Sequence, residues 1–297
     1  MILPFSYHYF SPQKITIKKL TFVFTLSFLL FSSPIIFAKN ITLTDALAKG
    51  LVELKVQGEG GHTGKSLQLT IRNLYKKKLK ISIPAGMIFN SEDTTRQDLM
   101  LIEERILAID GHKNRISKMY AVCIEAKNGS PRLGDKFNIG ALAVGHLLNI
   151  AQFIAKEKMY RNSAAQYAVW AVSDSKRVEN IDNGKLANHV ADLLGKPRPE
   201  YVILHKTTSR PGEPAYREAP SVLKGRFRFE LKKAQLMTFG LYTKDGKLMH
   251  AFFKKKRKLR GQHKFSFTFR VFNMPQGDYV LRLVSGGKVI KEKEVRF

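Results

Sequence analysis

Short segments in which apolar and polar residues alternate recur along most of this chain. LQLTI at Leu67–Ile71 and LKISI at Leu79–Ile83 have the period of two that a half-buried strand requires. Val52–Val56, Leu99–Ile109 and Ile116–Glu125 read as further strands, with turns at Pro84-Ala85-Gly86 and Gly111-His112-Lys113-Asn114. Closely spaced strands joined by tight turns predict an antiparallel β-sandwich.

The pattern then changes. Gly140–Lys158 carries apolar residues at helical spacing, Ser163 is placed to cap a helix over Ala164–Val172, and a third helix is predicted over Gly184–Leu194, before Gly195. A short helix capped by Thr44 precedes Gly50. Residues 196–220 hold five of the eleven prolines and read as a linker. From Ser221 the strand signal returns and stays, with hairpin turns at Lys244-Asp245-Gly246-Lys247 and Ser285-Gly286-Gly287-Lys288. The expected class is α+β, mostly β: a β-sandwich with a three-helix appendage over 39–195, a linker over 196–220, and an Ig-like β-sandwich over 221–297.

Residues 1–38 read as a secretory signal peptide. Lys14, Lys18 and Lys19 precede the uncharged run Leu20–Phe37, and Ala38 is a small residue suited to cleavage. If left uncut, this segment is the chain's one expected contact with a membrane. Export changes the meaning of the formal charge of +27. In a cytosolic protein it would suggest nucleic acid; on an exported one it suggests polyanions of the cell envelope, or a host or neighbouring surface. The charge is uneven. Residues 221–297 have 20 Lys+Arg against 5 Asp+Glu, net +15, whereas 39–220 have 28 against 19, net +9. The run Lys254-Lys255-Lys256-Arg257-Lys258 is the candidate binding patch and reads as a solvated hairpin loop. No base-reading motif accompanies it, so no specific nucleic-acid partner is expected.

Several chemistries are excluded by pattern. Gly58–Ser66 imitates a phosphate-binding loop, but Glu59 stands where glycine is needed and Ser66 leads into a strand instead of a helix. The eight histidines form no close pair, which argues against catalytic zinc, and no G-x-S-x-G elbow is present. No motif implies a cofactor.

One residue remains with distinctive chemistry. Cys123, in Tyr120-Ala121-Val122-Cys123-Ile124-Glu125-Ala126, is the only cysteine, so no intramolecular disulfide can form. It can be a small buried hydrophobe within a strand. It can also be a nucleophile served by His112 or His146, which would make the chain a Cys hydrolase. Or its thiol can condense with a glutamine carboxamide into an internal thioester. Cys123, followed by Gln166-Tyr167-Ala168-Val169-Trp170, resembles the Cys and Gln-x-Ala-[Ile/Val]-Trp pair of bacterial thioester-domain surface adhesins. The resemblance covers Leu67–Asp174, with Pro131, Gly134 and Phe137 between. It implies Cys123 as the sulfur donor and Gln166 as the acyl donor.

A second resemblance lies at the other end. Leu241–Leu248, Gly261-Gln262-His263, Met274-Pro275-Gln276-Gly277-Asp278-Tyr279 and Gly287–Lys293 are similar in succession to the Ig-like sorting domains of the type IX secretion pathway in Bacteroidetes. It implies passage through the periplasm and display or release outside. The expected function is therefore a non-enzymatic, exported envelope or surface protein that adheres through the thioester. The rivals are the Cys hydrolase and an electrostatic binder of envelope polyanions.

Overall fold

The computed structural model describes residues 40–205, 210–216 and 219–297. The signal-peptide reading of residues 1–38 lies outside these. Asn40–Phe297 forms one compact unit, mostly β with a helical layer, as the alternation requires.

The N-terminal part begins with β1 (Ile41–Thr42) and α1 (Leu43–Ala48), capped by the Thr42 hydroxyl, which accepts from the Asp45 N–H at 3.1 Å. The expected cap, Thr44, lies inside the helix. Strands β2 (Val52–Glu59), β3 (Leu67–Asn73), β4 (Leu79–Ile83) and β5 (Met87–Ser91) follow. They are succeeded by β6 (Leu99–Leu101), β7 (Arg105–Ile109), β8 (Asn114–Met119), β9 (Ala121–Cys123) and β10 (Leu133–Leu142). A three-stranded sheet, β1-β4-β7, faces a seven-stranded one in the order β8-β3-β2-β10-β5-β6-β9. Leu69, Ile71, Ile81, Ile83, Phe89 and Leu107 fill the space between.

Two predicted strands are each cut in two. Leu99–Ile109 breaks at Ile102–Glu104, and Ile116–Glu125 breaks at Tyr120, because the chain changes sheet or sheet end there. The side chain of Glu103 covers both breaks: its buried carboxylate accepts the Tyr120 N–H at 2.6 Å and pairs with Arg105 at 2.6 Å. A glutamate that substitutes for a strand partner leaves no mark in the alternation.

The helices are α2 (Gly145–Lys156), α3 (Ala164–Ser173) and α4 (Lys185–Leu193). They pack on the outer face of the β5-β6-β9 end, where Met100 and Val122 meet Ile150, Ala168, Val169 and Val190. Helix α2 starts later than predicted because Gly140–Leu142 still belongs to β10, which pairs Leu142 with Met87. The Ala164 N–H is capped by the Asn162 side chain, not by Ser163.

Residues 196–220, read from their prolines as a linker, instead carry β11 (Tyr201–His205). It pairs antiparallel with β12 (Pro220–Leu231), and Val202 and Ile203 are buried. The C-terminal sandwich thus takes its first strand from before Ser221. It is completed by β13 (Gln235–Thr243), β14 (Leu248–Lys258), β15 (Gly261–Arg270), β16 (Asp278–Ser285) and β17 (Lys288–Arg296), in sheets β11-β12-β15 and β14-β13-β16-β17. A phenylalanine-rich core lies between them. The basic run Lys254–Lys258 is not a loop. It is the end of edge strand β14, where Lys256 pairs with Met237 and Lys258 with Gln235.

Candidate functional site

The site is built on the last strand of the seven-stranded sheet. β9 hydrogen-bonds to β6 on one side only, yet all three of its residues are buried. Alternation sends Ala121 and Cys123 into the sandwich core and Val122 toward the helices. Its outer edge therefore presents backbone groups that water cannot reach and no strand pairs, and unpaired buried groups of this kind are costly.

Side chains and a loop take the place of the missing strand. The Ala121 N–H donates to the Gly64 carbonyl at 3.3 Å, and the Ser66 hydroxyl donates to the Ala121 carbonyl at 2.7 Å. Farther on, the Ala126 N–H donates to the Asp174 carboxylate at 3.0 Å. Between them sits Gln166. Its Oε1 accepts the Cys123 N–H at 2.8 Å, and its Nε2 donates to the Cys123 carbonyl at 2.7 Å. Both residues are 0% exposed.

Helix α3 brings Gln166 there because seven of its ten residues are buried, and a helix apolar on most of its surface must run through protein interior. Gln166 is the one buried polar side chain on it, and the strand edge gives it both partners. One turn later Trp170 enters the sandwich core that also holds Cys123. Tyr167 and Tyr216 meet the Trp170 ring edge-on at 5.6 and 5.5 Å, and the His62 ring lies 6.1 Å away. Burial pushes the Cys123 thiol well above its ordinary range, and the charge of Glu125 adds to the effect. Burial also pushes His62 below its ordinary value, and the Tyr167 hydroxyl up to about 12. Beside Gln166 lies a cavity of about 120 Å³ walled by Thr63, Gly64, Ile102, Val122 and Tyr160.

The two-point clamp fixes the carboxamide in the plane of the strand's own hydrogen bonds. A strand side chain leaves its backbone steeply to that plane. The carboxamide therefore lies against the backbone of Cys123, whose own side chain turns into the sandwich core.

The structure thus brings Cys123 and Gln166 together. His112 and His146 are at the exposed surface, at a turn and at the start of α2, whereas Cys123 is fully enclosed. Lys254, Lys255, Lys256 and Arg257 are exposed and Lys258 is half-buried at the end of β14. The pleat sends successive side chains to opposite sides of β14, and a bulge with positive φ (43°) at Lys255 interrupts it. The near-phosphate-loop Gly58–Ser66 runs into strand β3, and its Gly64 and Ser66 serve the β9 edge. Among the described residues, no group of three or more His, Cys, Asp and Glu is placed to hold a metal, and no helix is long and apolar enough to cross a membrane. No protein family, curated protein or solved structure matches the chain.

Proposed function

We propose that the chain is an exported surface protein that attaches covalently to a neighbouring surface through an internal thioester between Cys123 and Gln166. The observation that carries this reading is the clamp of the Gln166 carboxamide on the Cys123 backbone in a fully buried setting. The sulfur bonds to Cδ, the carbon–nitrogen bond breaks, and the nitrogen leaves as ammonia with the thiol proton. Negative charge builds on Oε1 as sulfur adds, and the Cys123 N–H is already hydrogen-bonded to that atom. Closing the ring gives up the Nε2 hydrogen bond to the Cys123 carbonyl, which a water from the adjoining cavity can replace. An amine or hydroxyl that later displaces the sulfur takes the Gln166 acyl group and restores the thiol. The event happens once per molecule and is not catalysis.

The surface positions of His112 and His146, neither of them beside the enclosed Cys123, favour this reading over a hydrolase, whose thiol needs a base within reach. The resemblance of the C-terminal module to sorting domains supports display outside the cell. There the chain end is tied down: Gly277 and Phe297 exchange backbone hydrogen bonds at 2.7 and 3.2 Å, and Tyr279 stacks on Phe297 at 4.6 Å.

Intact mass decides. The protein isolated without reductant or amine should be lighter by one ammonia, about 17 Da, and methylamine should abolish the deficit while exposing one titratable thiol. Cys123→Ala and Gln166→Ala should each show full mass. A full-mass native chain overturns the thioester, and rapid, selective alkylation of Cys123 in that chain would favour the hydrolase.

A further inference from the structure

Strand alternation sorts the charges of the C-terminal sandwich. On β17, Glu292 and Glu294 face outward from the four-stranded sheet and are paired, with Arg282 at 2.9 Å and Lys244 at 3.3 Å. Their neighbours Lys291 and Lys293 project the other way, toward β12. Lys291 Nζ donates to the Arg228 carbonyl at 2.8 Å, and Lys293 lies 2.5 Å from Glu200.

On β12 the residues Leu223, Phe227, Phe229 and Leu231 point into the core, so Lys224, Arg226 and Arg228 form an exposed row on the outer face that ends at Glu230. Neighbours in such a row are about 7 Å apart. Register with β15 sets Thr268, Ser266 and Lys264 opposite them, and all three are exposed. Pairing with β11 stops at Gly225. Beyond it, β12 and β17 leave a cleft of about 340 Å³ lined by Arg226, Arg228, Lys291 and Lys293, with Glu200, which pairs with Lys293, as its one carboxylate. Arg228 also borders a more open groove of about 470 Å³ with Glu230, Gln262 and Lys264. Among the described residues, no carboxylate forms an ion pair with Arg226 or Arg228.

Cations held this close repel one another, and an anion relieves the repulsion. Lys224, Arg226 and Arg228 lie in a row flanked on β15 by Thr268, Ser266 and Lys264, and a row of cations suits a linear polymer better than a single ion. The phenylalanines of β12 and β15 point inward, so this face lacks the aromatic platforms on which nucleic-acid bases stack. We infer that the outer face of β12 and its cleft with β17 bind an acidic polysaccharide through its sulfate or carboxylate groups. This site is independent of Cys123 and Gln166.

The test uses Asn40–Phe297, the compact unit, with heparin as probe at about 50 and 200 mM salt. Binding should weaken as salt rises. Arg226→Glu with Arg228→Glu should lose at least about tenfold in affinity, whereas Lys254→Glu with Lys256→Glu should stay within about twofold. If the reversal fails to fold, Arg226→Gln with Arg228→Gln replaces it and should still lose several-fold. Unchanged affinity in the folded β12 variant overturns the inference. So does a larger loss in the β14 variant, or tighter binding of single-stranded DNA than of heparin at equal charge.

Discussion

Replacing Gln166 by alanine tests the edge-capping geometry directly. The substitution strips the Cys123 N–H and carbonyl of their partners at 2.8 and 2.7 Å, in a place where neither residue is exposed. Each buried backbone group left unpaired costs about 1–3 kcal/mol, so the direct loss is roughly 2–6 kcal/mol. The adjoining cavity of about 120 Å³ lowers that figure, since water can enter the space vacated by the side chain and bond both groups. A net loss of roughly 2–4 kcal/mol is expected, equivalent to a fall in melting temperature of about 5–15 °C for a unit of this size. The comparison belongs in a Cys123→Ala background, where the carboxamide stays intact whatever the thiol does. Denaturant unfolding of the two chains gives the difference. Gln166→Glu adds a second arm. A carboxyl enclosed there has its pKa raised, so it must be protonated to donate to the Cys123 carbonyl. Its contribution is present at acid pH and disappears as pH rises above the unfolded-chain value of about 4.3. Stability of Gln166→Ala within about 0.5 kcal/mol of its parent would refute the reasoning, because it would mean that the β9 edge does not depend on this side chain.

Three further outcomes follow. In chains whose mass shows a free thiol, the unfolded state ionises Cys123 first, so stability should fall above about pH 8.5 by up to about 1.4 kcal/mol per unit; Cys123→Ala should remove the slope. His62 is held below its ordinary value by burial, so the unfolded chain takes the proton more readily; stability should fall as pH drops below about 6.5, and His62→Gln should flatten that arm in pH-dependent melts. A Cβ at Gly111 would lie 2.1 Å from the Lys76 carbonyl oxygen, so Gly111→Ala should cost about 1–3 kcal/mol in denaturant unfolding, and an unaffected midpoint would show that the β7–β8 turn yields.

The two sandwiches and the helical layer were legible because period-two and period-3.6 patterns report which face of an element is buried. What they do not report is what closes an edge. Glu103, Ser66, Asp174 and Gln166 look in sequence like ordinary polar residues, yet each supplies a hydrogen bond that a neighbouring strand would otherwise supply. Nothing local distinguishes them, since their partners are 17 to 55 residues away. The β11 strand was hidden for a different reason. Prolines dominate residues 196–220, but Tyr201–Leu204 between them is an uninterrupted apolar run, and its burial outweighed the composition around it.

The basic residues carry the same lesson about what composition can show. Five consecutive cations at Lys254–Lys258 draw the eye, but in an extended strand consecutive side chains diverge. Every second position is what accumulates on a face. Lys224, Arg226 and Arg228, set in the plain alternation of LKGRFRFEL, therefore share one surface although no two of them are consecutive. Lys291 and Lys293 join them only because the KEKE alternation of β17 turns Glu292 and Glu294 away toward Arg282 and Lys244. For a β-rich protein of this charge, the alternating register is the physical quantity that locates an anion-binding face. Neutralising the contiguous run would lower the net charge more than neutralising Arg226 and Arg228, yet it should disturb polyanion binding less.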